Sequence, residues 1–143
     1  MRSFEYPARL TADEDGGYVV TFPDFPEAIT QGETQADALA EAADCLEEAV
    51  AARIVHGDPI PEPSRIGRGR HPVPLPAQMA AKAALYLALH EARISKTALA
   101  KRLGCDEKEV RRLLDPRHPS KLPRLEAALA AVGKRLVLGV DAA

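Results

Sequence analysis

Within the stretch Leu99–Leu114, LAKRLGCDEKEVRRLL, three cations project from the exposed face of one short helix: Lys108, Arg111 and Arg112. Lysine and arginine donate to O6 and N7 of guanine, so this spacing carries the chemistry of base recognition. Lys96 and Thr97, at the start of the preceding helix, are placed for phosphates, as are Arg117 and Lys121 in the loop Asp115–Lys121. Phosphate contacts position a protein on a duplex, whereas base contacts specify the site. Glu107 either accepts from cytosine N4 or is simply solvated. Asp106 and Glu109 cap the second helix, so their charge does not argue against a phosphate partner.

No catalytic constellation competes with this. The four histidines, His56, His71, His90 and His118, lie near no nucleophile pattern and share no metal-ligand spacing. Asp13, Glu14, Asp15 and Asp24 gather around a hairpin, but acids before Gly16-Gly17 are ordinary turn formers. Gly67-Arg68-Gly69 has neither a strand before it nor a helix after it, so it is no nucleotide loop. We expect no enzyme activity, no metal and no cofactor.

The elements that must position these residues follow from pattern. A close helix–helix crossing needs a small residue, supplied by Ala100, and a left-handed end, supplied by Gly104. Leu99, Leu103, Cys105, Val110 and Leu113 form the shared core of a helix-turn-helix. Helices are expected over Ala77–Ala92, Ser95–Leu103, Asp106–Leu114 and Ser120–Val132, with a last strand over Arg135–Val140. A lone strand favours pairing with its copy in a second chain, so Leu136, Val137, Leu138 and Val140 are the expected dimerisation residues. Such a dimer presents two recognition helices about 34 Å apart.

Upstream, Ser3–Leu10 is broken by Pro7 and suits an edge strand. Tyr18–Phe22 is rich in β-formers; Pro23–Pro26 interrupts the ladder, and Ala28–Gln31 returns as a third strand. Thr34 caps a helix whose apolar stripe is Leu39, Ala43, Leu46, Val50 and Ile54, with Glu41, Asp44, Glu47 and Glu48 opposite, and Gly57 stops it. Six of the twelve prolines lie between Gly57 and Pro76, marking a stiff connector in which His71–Leu75 is a candidate fourth strand along a sheet edge. The organisation expected is therefore a β-β-β-α domain over 1–62, a connector over 63–76 and a helical domain over 77–143, an α+β chain overall.

The net charge of −2 conceals a division. Residues 1–63 hold three basic and fourteen acidic side chains, a balance of −11; residues 64–143 hold sixteen basic and seven acidic, a balance of +9. Such a split suits a basic partner for one half and an acidic one for the other. No apolar run reaches the roughly 20 residues needed to span a bilayer, and the first residues lack a signal-peptide core, so we expect no membrane and cytoplasmic residence. Cys45 and Cys105 lie far apart and are expected as reduced, buried side chains.

The run Gly17–Pro26 (GYVVTFPDFP), followed by Thr30–Thr34 (TQGET) and Glu41-Ala42, resembles the N-terminal domain of the HicB antitoxins. The segments Lys101–Gly104, Glu107–Pro116 and Ser120–Leu122 resemble the helix-turn-helix version of that family. The resemblance implies a partial ribonuclease-H-like N-terminal domain without nuclease activity. It implies binding and neutralisation of a small basic messenger-RNA-cleaving toxin of the HicA type. It also implies repression of the operon by the C-terminal domain, and dimers or tetramers. Glu27-Ala28 stands where the family often has Gly-Cys, and Cys105 replaces an aliphatic residue. An acidic domain suits a toxin that ordinarily binds RNA, and the candidate toxin contacts are Asp24, Phe25, Glu27, Glu41, Asp44 and Glu48. The alternative is a stand-alone repressor whose N-terminal domain senses a ligand or only dimerises.

Overall fold

A computed structural model describes residues 1–142, leaving Ala143 outside the described residues. The chain divides into two compact units, Met1–Pro76 and Ala77–Ala143.

In the first unit, β1 (Glu5–Ala12), β2 (Tyr18–Phe22), β3 (Phe25–Gly32) and β4 (His71–Pro74) form one antiparallel sheet in the order β3-β2-β1-β4. Helix α1 (Gln35–His56) packs on one face. Tyr6, Ala8, Val20, Phe22, Phe25 and Ala28 meet Ala38, Ala42, Leu46 and Val50 in its core. The buried stripe of α1 therefore starts at Ala38 and Ala42, not at Leu39 and Ala43. The cause is close approach: a Cβ on Gly32 would lie 2.4 Å from the backbone nitrogen of Ala38, so only small side chains fit beneath the first turn. Thr34 caps α1 by accepting from the Asp37 nitrogen, and Gly57 ends it in the left-handed conformation.

The prolines rearrange the expected sheet. β1 is an interior strand, because Glu5–Ala8 pairs with β4 and Arg9–Ala12 pairs with β2. The Leu75 nitrogen donates to the Phe4 carbonyl at 2.8 Å, which fixes the alternation along this ladder. By that alternation Pro7, facing Pro72, and Pro74, facing Glu5, occupy non-hydrogen-bonded positions. No ladder bond is lost there, and the outer edge of β4 presents prolines where amide donors would stand, which blunts it. Residues 63–76, expected as a connector with a candidate edge strand over His71–Leu75, hold that strand as β4 at the edge of the sheet and are part of the first unit. β3 begins at Phe25, so only Pro23-Asp24 turns the chain, with an irregularity in register at Thr21/Phe22.

The second unit holds α2 (Ala77–Ala92), α3 (Lys96–Leu103), α4 (Glu107–Leu114) and α5 (Leu122–Ala131). Met79, Leu85, Leu89, Leu99, Val110, Leu113, Leu125 and Leu129 form its core. The expected last strand is not formed: residues 133–142 carry no helix or strand, and Val137, Leu138 and Val140 are 55%, 58% and 102% exposed. A strand exists only through its ladder, and this segment has no neighbouring strand among the described residues. The cysteines are free and half-buried rather than buried.

Candidate functional site

The α3–α4 corner is built by its caps. Ser95 accepts from the Ala98 nitrogen, and Asp106 accepts from the Glu109 nitrogen at 2.9 Å. Gly104, at φ 66°, donates to the Lys101 carbonyl while Cys105 donates to that of Ala100 at 3.0 Å, the double bond pattern of a tight helix end. Val110, Leu113 and Leu114 turn inward, which leaves Lys108, Arg111 and Arg112 together on the exposed face of α4. Glu107 accepts from the Thr97 hydroxyl at 3.1 Å and faces Arg111 at 4.0 Å, so it ties α3 to α4 and orients an arginine. Glu109 also pairs with Arg124 of α5. Lys96 and Lys121 are exposed; Arg117 is too, its backbone nitrogen held by the Asp115 carboxylate at 2.9 Å.

Lys82, on α2, is the one charged side chain in the core among the described residues, fully buried. Its ammonium donates to the carbonyls of Arg112 and Leu113, both at 3.0 Å, and to Ser120 Oγ at 2.8 Å. All three donors are satisfied. They hold the C-terminal turn of α4, where the helix dipole favours a cation. One turn earlier on α2, Gln78 Oε1 accepts from the Ser120 nitrogen at 2.6 Å. Burial lowers the Lys82 pKa to about 8, against the opposing pull of Asp115. Sequence pattern missed this residue because an Ala-rich helix with one lysine reads as snorkelling at a surface.

In the first unit, Asp37, Glu41, Asp44 and Glu48 are exposed at successive spacings of four, three and four along α1. They form one acidic stripe about 16 Å long at 1.5 Å per residue. The other three candidate acidic-side contacts do internal work. Phe25 is fully buried, edge-to-face with Tyr6 at 4.9 Å, and so offers no surface. Glu27 receives Arg53 through two bonds at 2.7 and 2.8 Å, and the Arg53 guanidinium stacks 4.6 Å above the Phe25 ring. This pairing holds the Glu27 carboxyl below its usual range. Asp24 accepts from the Ser64 nitrogen at 2.9 Å and from its hydroxyl. With Arg53 donating to the Pro59 carbonyl and the Tyr6 hydroxyl to that of Pro61, these bonds strap residues 58–64 to the unit. Burial pushes the Tyr6 phenol up to about 12.

The hairpin acids are accounted for by the turn. The Asp13 nitrogen donates to the Gly17 carbonyl, the Asp13 carbonyl accepts from Gly16, and the Asp13 carboxylate faces the Asp15 nitrogen. Among the described residues no three histidine, cysteine or acidic side chains converge on a metal position. Among the described residues no helix is long and apolar enough to cross a membrane.

Fold and surfaces together define a two-unit α+β protein, acidic along one helix and basic along another. Residues 5–84 match the family described as HicB-like antitoxin of bacterial toxin–antitoxin systems. The chain is 38% identical over 133 residues to "Antitoxin HicB" of Escherichia coli K12, covering 93% of this chain and 96% of that one. It is 35% identical over 141 residues to "Antitoxin HicB 1" of Photorhabdus laumondii, covering 99% and 90%. It is 36% identical over 141 residues to "Antitoxin HicB" of Pseudomonas fluorescens Pf0-1, covering 98% and 96%. The chain belongs to the HicB-like antitoxin family of toxin–antitoxin systems.

Proposed function

We propose that this chain neutralises a small basic messenger-RNA-cleaving toxin of the HicA type through its first unit and represses its own operon through its second. The observation that carries this reading is the sorting of charge onto two separate ordered surfaces, the acidic stripe of α1 and the Lys108, Arg111 and Arg112 face of α4. A toxin that grips RNA is met by a polyanionic helix face, so Glu41, Asp44 and Glu48 contact it and occlude its RNA surface. Asp24 and Glu27 hold the fold that presents them. The β-sheet-and-helix unit acts as a partial ribonuclease-H-like binding domain, not as a nuclease.

In the second unit, α3 and α4 act as a helix-turn-helix with α4 in the major groove. Lys108, Arg111 and Arg112 reach base edges, and Lys96, Thr97, Arg117 and Lys121 meet phosphates. Lys82 keeps the C-terminal turn of α4 in register with α2. The exposed Val137, Leu138 and Val140, with the half-buried Leu136, pair as a strand with those of a second copy, giving a cytoplasmic dimer or tetramer. The test is co-purification with the basic product of the neighbouring short gene, followed by mobility shift of the promoter across a salt series. A stable complex and a steep loss of DNA affinity with salt are expected. Lack of either partner overturns the corresponding half, and sedimentation showing only monomer at micromolar concentration overturns the dimer.

A further inference from the structure

The first unit carries a feature that its acidic stripe does not explain. Between Glu62 and Glu91 the sequence contains no acid, and at the start of that interval stand Arg65, Arg68 and Arg70. The Arg70 nitrogen donates to the Gly67 carbonyl at 3.2 Å, closing a four-residue turn with Gly69 at φ 77° in its third position. A left-handed third residue is what a type II turn demands. Arg68 occupies the second position of that turn and Arg70 its exit; Arg65 and Arg68 are exposed and Arg70 is half-buried.

Two observations set these arginines apart. Of the other arginines in the unit, Arg2 and Arg53 are spent on Glu62 and Glu27, and Arg9 stands alone on β1, away from any second cation in sequence. Among the described residues no carboxylate or other acceptor engages Arg65, Arg68 or Arg70. Moreover, the segment that carries them is anchored at both ends. Ser64 bonds to Asp24 on one side, and the turn runs straight into β4, whose His71–Pro74 is paired with β1, on the other. Three unneutralised guanidiniums, two on a tied-down turn with glycines at its first and third positions and one just before it, fit a polyanion, since the backbone is already ordered and can approach closely.

We propose that the Gly67–Arg70 turn, with Arg65, is a second contact to duplex DNA, made to the phosphate backbone and independent of sequence. It rests on the reading that the chain binds its promoter, and adds a contact outside the helical unit. A guanidinium matches a phosphate bidentately, and each phosphate neutralised releases about 0.9 counterion.

The test uses the full chain, with fluorescence anisotropy on a promoter duplex and on a random duplex from 50 to 300 mM salt. Four proteins are compared: wild type, R65Q/R68Q/R70Q, R65K/R68K/R70K and R111A/R112A. All five substituted positions are exposed or half-exposed side chains, and a thermal melt checks that the fold is kept. The turn variant is expected to lose about 2 to 3 units of log–log salt slope on both duplexes while the promoter-to-random preference stays as in wild type. R111A/R112A is expected to lose that preference instead. A lysine version, R65K/R68K/R70K, retains most of the slope because phosphate accepts a point charge. A turn variant with wild-type slope and affinity overturns this inference alone, as does one that loses only promoter preference. A wild-type chain that binds neither duplex overturns both the inference and the reading beneath it.

Discussion

Gly32 shows how narrowly single atoms decide this fold. A Cβ there would sit 2.4 Å from the Ala38 nitrogen and 2.6 Å from its Cα, both backbone atoms that cannot swing aside. Gly32→Ala is expected to destabilise the first unit by about 3 kcal/mol, read by urea denaturation, since it overpacks a site without slack. Gly139→Ala, with open space around it, is the control and should fall within about 0.5 kcal/mol of wild type. Lys82 makes a different demand. Its folded pKa of about 8 lies below the ordinary 10.5, so between those pH values the unfolded chain binds the extra proton. Stability attributable to this group therefore rises as pH climbs from 8 to 10.5, and the cost of burying the charge is fully present below 8. As the amine turns neutral it keeps two N–H donors for the two carbonyls and can accept from Ser120, so the contact survives deprotonation. Lys82→Met should lose about 1–3 kcal/mol at pH 7 through unmet carbonyls. The gap from wild type should widen by on the order of 2 kcal/mol by pH 10. Denaturation at pH 7, 8, 9 and 10 reads it as a difference, which cancels the opposite trend from Tyr6. That phenol is pushed up to about 12, so its stabilisation is lost only as pH rises above 10.

Elements are set by their ends more than by their middles. Asp106→Ala removes the acceptor for the Glu109 nitrogen, and a loss of about 1 kcal/mol is expected, with frayed first-turn amides of α4 in hydrogen exchange. Under the DNA reading promoter affinity falls with it, since α4 must stay helical from its first turn. These ends were also what the chain spelled out plainly: Thr34 and Gly57 bound α1, Ala77–Ala92 is α2 as expected, and Tyr18–Phe22 is β2. Residue chemistry near each boundary carries that information locally. What pattern did not carry was contact across long separations. Pro7 suggests an edge when taken alone, yet its strand is interior; the register with Pro72, 65 positions on, turns its nitrogen away from β4 to the side where pairing with β2 begins only at Arg9. Asp24 and Glu27 have the charge of contact residues, but Ser64 and Arg53, 40 and 26 positions away, engage them. The apolar run Arg135–Val140 alternates like a strand, and alternation cannot say whether a neighbour exists to complete the ladder. By contrast, helical periodicity made the exposed face of α4 legible, and three of the four acids expected on α1, since Glu41, Asp44 and Glu48 are exposed while Glu47 is half-buried and Asp37 extends the stripe instead.

At the scale of the whole molecule, charge is sorted by unit. Residues 1–76 balance to −8 and residues 77–143 to +6, counted from the sequence. If each surface serves its own partner, each should be separable by substitution without disturbing the other. Reversing the α1 stripe in E41K/D44K/E48K removes three negative charges and adds three positive ones on exposed positions. Association with the toxin should slow by at least about tenfold at low salt, because steering by complementary fields acts mainly on the encounter rate. Dissociation should change less, and the rate advantage of wild type should shrink as ionic strength rises and the Debye length shortens to about 8 Å. Stopped-flow mixing at two salt concentrations measures both effects. In the same protein, promoter affinity should be unchanged or raised, since the variant lessens repulsion of the duplex. R111A/R112A should behave conversely, with toxin association intact and promoter preference gone. A stripe variant that associated with the toxin at the wild-type rate would move the toxin surface off α1 and onto the sheet, where Ile29, 62% exposed on β3, is the apolar residue to test next.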